Sequence, residues 1–106
     1  MEKAYDARNR LVGYVDENII YDASRNIVGY TDGYVVYDKY SNPLVYVYDG
    51  YVRAMNGMPL GYYDGYRLYD MSGRYLGYGN FGFFGLLGAS LLLLGLGSLF
   101  WPVWWW

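Results

Sequence analysis

The aspartates of this chain recur at a regular spacing, which makes them the first candidates for chemistry. Four of them share one register of sixteen residues: Asp6, Asp22, Asp38 and Asp70. Ala54 occupies the remaining position of that register. Carboxylates gathered around an axis would suit a hard cation, and a carboxylate pair could serve glycoside hydrolysis. We favour a structural role, because an aspartate that follows a strand caps the next turn through the backbone and because Ala54 breaks the set.

Tyrosine is the second candidate, with 16 copies among 106 residues. One tyrosine occurs at the same place in every repeat: Tyr14, Tyr30, Tyr46, Tyr62 and Tyr78. We expect these to pack in the core between neighbouring repeat units, with a ligand-facing cage as the alternative. Tyr34, Tyr51 and Tyr66 adjoin Asp-Gly turns and are expected to be more exposed. Because an exposed tyrosine offers a large contact area at a small entropy cost, these three are the predicted ligand-binding residues.

The residue inventory excludes most catalytic chemistry. The chain has no Cys and no His, which removes thiolate nucleophiles, the usual general base and the commonest metal ligand. The net charge is −2 and there is no basic stretch, so the chain lacks the electrostatic footprint of a nucleic-acid binder. We therefore predict a non-enzymatic protein with no cofactor, no metal site and no nucleic-acid partner.

The elements that position these residues form a sixteen-residue repeat. Four full units span about residues 5–68, and a half unit covers 69–78. Each unit reads as two short strands, rich in Val, Ile and Tyr, and two turns. Asp32-Gly33 and Asp64-Gly65 mark one kind of turn, and Asn56-Gly57 marks the other, since glycine tolerates the positive φ that such turns require. The glycine that precedes the repeated tyrosine predicts a β-bulge.

The repeat units are expected to close on themselves. Isolated hairpins are marginal in water, and an open row of strands would leave edges that promote aggregation, which circular closure removes. The half unit at 69–78 can pair with the first strand and complete the ring. We predict an all-β domain over residues 1–78, closed with pseudo-four-fold symmetry and containing no helix.

The repeat resembles that of the four-fold β-flower family of small bacterial proteins, in which four hairpin petals surround an axis. The resemblance lies in the order of its parts: Tyr-Asp, a turn, Val-Gly-Tyr, Asp-Gly and a strand. The resemblance covers about residues 4–78, and it implies a fold but no chemistry. The chain departs from the pattern at Arg53-Ala54 and at the displaced Asp49-Gly50. It is more weakly similar to the aromatic-glycine hairpin repeats that bind choline or cell-wall glycans. Those repeats carry Trp in their ligand cages, and residues 1–78 contain none.

Residues 79–106 have a different composition and form the second predicted region. Residues 81–101 are 21 consecutive uncharged residues, and a bilayer-spanning helix needs about twenty. The tail ends in an aromatic cluster typical of a membrane interface: Trp101, Trp104, Trp105 and Trp106. A buried core helix is the alternative, but so small a β domain has little surface to cover one. We predict one C-terminal transmembrane helix that acts as a tail anchor.

Small residues and flanking charges refine the membrane prediction. Gly82, Gly85 and Ala89 fall on one helical face, and small residues allow membrane helices to approach closely, so we expect a homo-oligomer. Arg67 and Arg74 precede the span and no basic residue follows it. By the positive-inside rule, the β domain is expected in the cytoplasm.

Two functions from different classes are compatible with this organisation. The first is a membrane-tethered binding or scaffolding module whose ligand is a protein or a small molecule. The alternative is a membrane-disrupting or pore-forming effector whose β domain senses a ligand or partner. The Gly/Phe/Leu pattern of residues 83–89 is shared by fusion peptides and by ordinary anchors, so it fits either function.

Overall fold

A computed structural model describes residues 2–80, and these residues form ten antiparallel strands in a closed barrel. The strands are β1 (Glu2–Asp6), β2 (Leu11–Asp16), β3 (Ile19–Asp22), β4 (Ile27–Thr31), β5 (Val35–Asp38), β6 (Pro43–Tyr48), β7 (Tyr51–Ala54), β8 (Pro59–Asp64), β9 (Arg67–Asp70) and β10 (Tyr75–Asn80). The prediction of a closed all-β domain is confirmed, and residues 2–80 contain no helix.

The barrel contains five repeat units, so the predicted count of four is corrected. Each strand pairs with its neighbours in the chain, and β1 pairs with β10 to close the ring. Each repeat unit consists of one odd-numbered and one even-numbered strand, and there are five of each. The first unit begins with β1 at Glu2, whereas the repeat counted from the sequence began at about residue 5. The segment 69–78 is therefore part of a full fifth unit, β9 and β10, rather than a half unit.

The predicted membrane helix lies outside the described residues. So do its predicted packing residues Gly82, Gly85 and Ala89 and its aromatic cluster Trp101, Trp104, Trp105 and Trp106. Within residues 2–80 there is no helix that is long and apolar enough to cross a bilayer.

Two kinds of turn alternate around the barrel and define its two ends. At the tight-turn end, turns of two or three residues need positive φ, as at Glu17 (50°) and Asn18 (74°). At the wide-loop end, the loops that follow β1, β3, β5, β7 and β9 each contain one residue in the left-handed region. That residue is Gly57 (φ 94°) after β7 and Asn9 (φ 62°) after β1. The predicted turn chemistry is confirmed at both ends.

A β-bulge recurs in every repeat: the glycine before the repeated tyrosine predicted it in four repeats, and it also forms in the third, where Val45 takes the place of that glycine. Ala4 pairs with Gly13 and Tyr5 pairs with Leu11, so Val12 is the extra residue on β2. The same register shift recurs between β3 and β4, β5 and β6, β7 and β8, and β9 and β10. A bulge increases the local twist of a strand, which favours closure of such short strands into a barrel.

The core is a ring of aliphatic side chains, one from each odd-numbered strand. These five are fully buried: Ala4, Ile20, Val36, Val52 and Leu68. Each directly precedes the residue of the Tyr-Asp register, so strand alternation turns the aliphatic side chain inward and the next side chain outward. Val15, Leu44, Val45 and Val47 complete the core from the even-numbered strands.

Candidate functional site: a tyrosine belt interrupted by an arginine

The repeated aspartates cap the wide loops, as the structural interpretation predicted. Asp22 is representative: its Oδ1 accepts the backbone N–H groups of Ser24 and Asn26, each at 2.9 Å. The same pair of bonds occurs at Asp6, Asp38 and Asp70. These carboxylates serve four separate loops, and residues 2–80 contain no acidic cluster suited to a metal ion.

Hydrogen bonding keeps these carboxyl groups ionised. The backbone N–H of Arg10 lowers the pKa of Asp6, and that of Asn26 lowers the pKa of Asp22, since a carboxylate that accepts N–H bonds is stabilised in its charged form. A general acid at neutral pH needs a raised pKa. The environment of Asp6 and Asp22 instead lowers the pKa of both carboxyl groups.

The repeated tyrosines form a belt around the outer wall of the barrel, which we call the tyrosine belt. It consists of five direct cross-strand pairs: Tyr5–Tyr78, Tyr14–Tyr21, Tyr30–Tyr37, Tyr46–Arg53 and Tyr62–Tyr69. All ten side chains are half-buried. These tyrosines therefore pack between neighbouring repeat units, as predicted. The predicted core placement is corrected, because strand alternation turns the aliphatic residues inward and the tyrosines outward.

Two of the four tyrosine pairs in the belt are stacked. Tyr62 and Tyr69 stack with ring centroids 5.0 Å apart and an interplanar angle of 13°, and Tyr5 and Tyr78 stack at 5.1 Å and 20°. Cross-strand aromatic pairs of this kind stabilise a sheet by roughly 0.5–1.5 kcal/mol beyond the area they bury. The belt therefore has a structural role.

The structure does not bring the three predicted ligand-binding tyrosines together. Tyr34 and Tyr66 are 49% and 47% exposed and occupy equivalent positions at the tight-turn end, two repeats apart. Tyr66 borders an open depression of about 590 Å³ that Arg67 and Tyr75 also line. Tyr51 is half-buried and begins β7 at the same end of the barrel, directly after the separate turn at Asp49-Gly50.

Arg53 is the one member of the belt that is not a tyrosine, and part of its hydrogen-bonding capacity is unused. Its Nη1 donates to the Gly57 carbonyl at 3.0 Å, and its Cζ lies 4.9 Å from the ring centroid of Tyr51. Its Nε is buried and has no hydrogen-bond partner. No carboxylate of residues 2–80 forms an ion pair with it. A buried polar group left unpaired costs about 1–3 kcal/mol.

The loop next to Arg53 lacks the carboxylate that the other wide loops have. Ala54 takes the aspartate position, and Asn56 Oδ1 accepts the backbone N–H of Met58 at 3.0 Å instead. The Arg53-Ala54 departure is visible in the sequence. The sequence does not show what the departure means, because only the strand register places Arg53 opposite Tyr46 and without an anionic partner.

Comparison with known proteins gives one family. Residues 1–84 match a family model described as 5-fold beta-flower protein. The count in that description agrees with the five repeat units of the barrel. No curated protein and no solved structure matches the chain.

Proposed function

The chain belongs to the five-fold β-flower family, and from that premise we propose that it is a non-enzymatic binding or scaffolding module tethered to a membrane. The barrel is the binding part, and the residues that follow β10, 81–106, are the membrane part. The observation that carries the proposal is the tyrosine belt, an ordered aromatic surface on the outside of a closed barrel.

The belt and the tight-turn end suit recognition of a protein or a small molecule. Stacked rings held by cross-strand pairing lose little conformational entropy when a ligand covers them. Tyr34 adds an exposed ring beside the belt, since its centroid lies 5.9 Å from that of Tyr46. Tyr66 offers a similar exposed ring two repeats away.

The state of the aspartates supports a non-enzymatic role. Asp6, Asp22, Asp38 and Asp70 all use their carboxylate oxygens to hold loop backbone. A catalytic carboxylate must be free to exchange a proton or to attack a substrate, whereas these groups are engaged in the repeat itself.

The membrane part is proposed from the tail sequence. Residues 81–101 are uncharged over a length that suits one span, and the tryptophans that follow suit an interface. We propose a single-span anchor that forms a homo-oligomer through the face of Gly82, Gly85 and Ala89.

Cell fractionation tests the tether. The full chain is expected in the membrane fraction, resistant to alkaline carbonate and extracted by detergent, while a chain that ends at Asn80 is expected in the supernatant with its β-sheet circular dichroism intact. Sedimentation of the shortened chain with membranes, or a full chain that is soluble without detergent, would contradict the proposal.

Orientation can be tested because the chain has no native cysteine. We propose that the β domain faces the cytoplasm, since Arg67 and Arg74 precede the span. Lys39 is exposed, so Lys39→Cys provides a labelling site. In intact cells this cysteine is expected not to react with a membrane-impermeant maleimide, and it is expected to react after lysis. Labelling in intact cells would indicate the opposite orientation.

A second function, a membrane-disrupting effector, is favoured by one observation only. Residues 83–89 combine Phe, Leu and Gly in the manner of fusion peptides. The two functions differ in their effect on membrane potential. Expression of the full chain is expected to leave a potential-sensitive dye unchanged for a scaffold, and to depolarise the cell for an effector.

A further inference from the structure

The fourth repeat differs from the other four in a way that changes its charge. Where the other repeats have Tyr-Asp, it has Arg53-Ala54. The substitution adds a guanidinium to the tyrosine belt and removes the neighbouring carboxylate. The other four repeats show that the fold itself calls for neither change, since each accommodates Tyr-Asp at this place.

The guanidinium is held by one edge and leaves another edge unused. Nη1 donates to the Gly57 carbonyl, and Nε has no partner. In an arginine, the N–H of Nε and one N–H of Nη2 point in the same direction, and this pair matches the two oxygens of a carboxylate or phosphate. The unused edge is thus the one best suited to bidentate recognition of an oxyanion.

The surroundings of Arg53 are aromatic and apolar. The Tyr51 ring lies beside the guanidinium, and Tyr46 is the direct cross-strand partner of Arg53. Met55 and Met58, 50% and 56% exposed, lie on the loop that follows β7. Charge-assisted hydrogen bonds are stronger where side chains reduce contact with water.

We propose that Arg53 is the centre of an oxyanion-binding site, for a phosphate or carboxylate group presented by a ligand, framed by Tyr46 and Tyr51. The proposal rests on the proposed function as a binding module and names the chemistry that the module recognises. Protein atoms cover Nε, so the oxyanion reaches the edge formed by Nε and Nη2 when the long side chain of Arg53 rotates outward and Nη1 releases the Gly57 carbonyl.

The test observes Arg53 itself by NMR. Full-length ¹⁵N-labelled protein in dodecyl maltoside, a detergent without phosphate, is titrated with inorganic phosphate and separately with acetate, at an ionic strength held constant with NaCl. The Nε–H resonance of Arg53 is expected to shift and saturate with at least one of the two. A parallel titration with phosphatidic acid in the micelle distinguishes a lipid headgroup from a free oxyanion as the source.

The variants make the test specific. Arg53→Lys keeps the charge but loses the planar edge, so affinity measured on neighbouring backbone amides is expected to fall by at least about tenfold. Arg53→Tyr with Ala54→Asp restores the Tyr-Asp of the other repeats and is expected to abolish binding while the remaining amide spectrum is retained. Arg74→Lys, at an exposed loop arginine, is the matched control and is expected to leave affinity unchanged.

The proposal is overturned if none of the three probes produces a saturable shift in the native protein. It is also overturned if the double variant binds within about twofold of the native affinity, or if Arg74→Lys weakens binding as much as Arg53→Lys, since both outcomes indicate general charge attraction. Membrane sedimentation of the full chain is a separate measurement, so failure of this site is distinguishable from failure of the proposed function.

Discussion

Tyr46 on β6 and Arg53 on β7 are direct cross-strand partners, at a place where the other four repeats each pair two tyrosines. The other four repeats thus show that the fold accommodates a tyrosine pair at this place. A buried Nε without a partner is unfavourable for folding, so arginine at this place has an energetic cost.

Restoring the repeat at this pair is expected to stabilise the barrel. In Arg53→Tyr with Ala54→Asp, the new tyrosine can stack on Tyr46 as Tyr69 stacks on Tyr62, and the new aspartate can accept loop N–H groups. We expect the free energy of unfolding to rise by about 1–3 kcal/mol, measured by guanidinium denaturation of the full chain in detergent.

Arg67→Tyr is the control for that experiment. It makes the same change of residue type at an exposed strand position, where a substitution changes stability by only about 0.5 kcal/mol in either direction. If the double variant is less stable than the native chain, the contacts of Arg53 stabilise the fold by more free energy than its unpaired Nε costs.

Truncation within the aliphatic ring is expected to destabilise the barrel strongly. Ile20 is fully buried, so Ile20→Ala leaves a cavity and is expected to cost about 2–5 kcal/mol of unfolding free energy. Ile27→Ala makes the same change at a side chain that is 42% exposed, and about 0.5 kcal/mol is expected there. Equal effects in denaturant titrations would contradict the central position of the ring.

Acid is expected to weaken the fold through the loop aspartates. Hydrogen bonds from loop backbone lower the pKa of Asp6 and Asp22 in the folded state below the ordinary value of 3.8, so the unfolded chain binds more protons in that range. Their contribution is therefore complete above the unfolded pKa and is lost as pH falls through the folded pKa. Unfolding free energy measured from about pH 7 down to 2 is expected to fall below about pH 4.

Single variants identify the groups responsible for the acid response. Asp22→Asn removes one titrating carboxylate and is expected to flatten the fall in stability below about pH 4. Asp16→Asn is the control, because Asp16 is exposed and its side chain makes no hydrogen bond or ion pair within residues 2–80. An identical pH profile for Asp22→Asn and the native chain would exclude a role of the Asp22 cap in acid sensitivity.

Association through the tail is expected to depend on its small residues. Apolar area gives no net attraction between helices in lipid, so close packing must provide it. Gly85→Leu is expected to separate the helices and weaken the oligomer while membrane insertion is retained, because leucine is favourable in a bilayer. Mass measurement in detergent tests this. A monomeric native protein would contradict the prediction, and an unchanged oligomer in the variant would place the interface in the β domain.

Much of the fold was predictable because its signals are local. The turns are specified by residues that accept positive φ, such as Gly65 and Gly73. A glycine before the repeated tyrosine marks the bulge in four repeats, although the bulge also forms where Val45 takes its place. Alternation along a strand separates Ile20 from Tyr21, inward and outward. Closure followed from the instability of exposed strand edges. These inferences need only the chemistry of a few consecutive residues.

The number of repeats and the properties of Arg53 depend on partners distant in the chain. Glu2–Asp6 contains no run of β-branched residues, and it becomes a strand through its pairing with β2 and β10. The sequence therefore determined a closed ring of hairpins, and only tertiary pairing determined that there are five. In the same way, Arg53 was visible as a departure from the repeat, but its unpaired Nε and its position opposite Tyr46 follow from cross-strand register, which no local signal specifies.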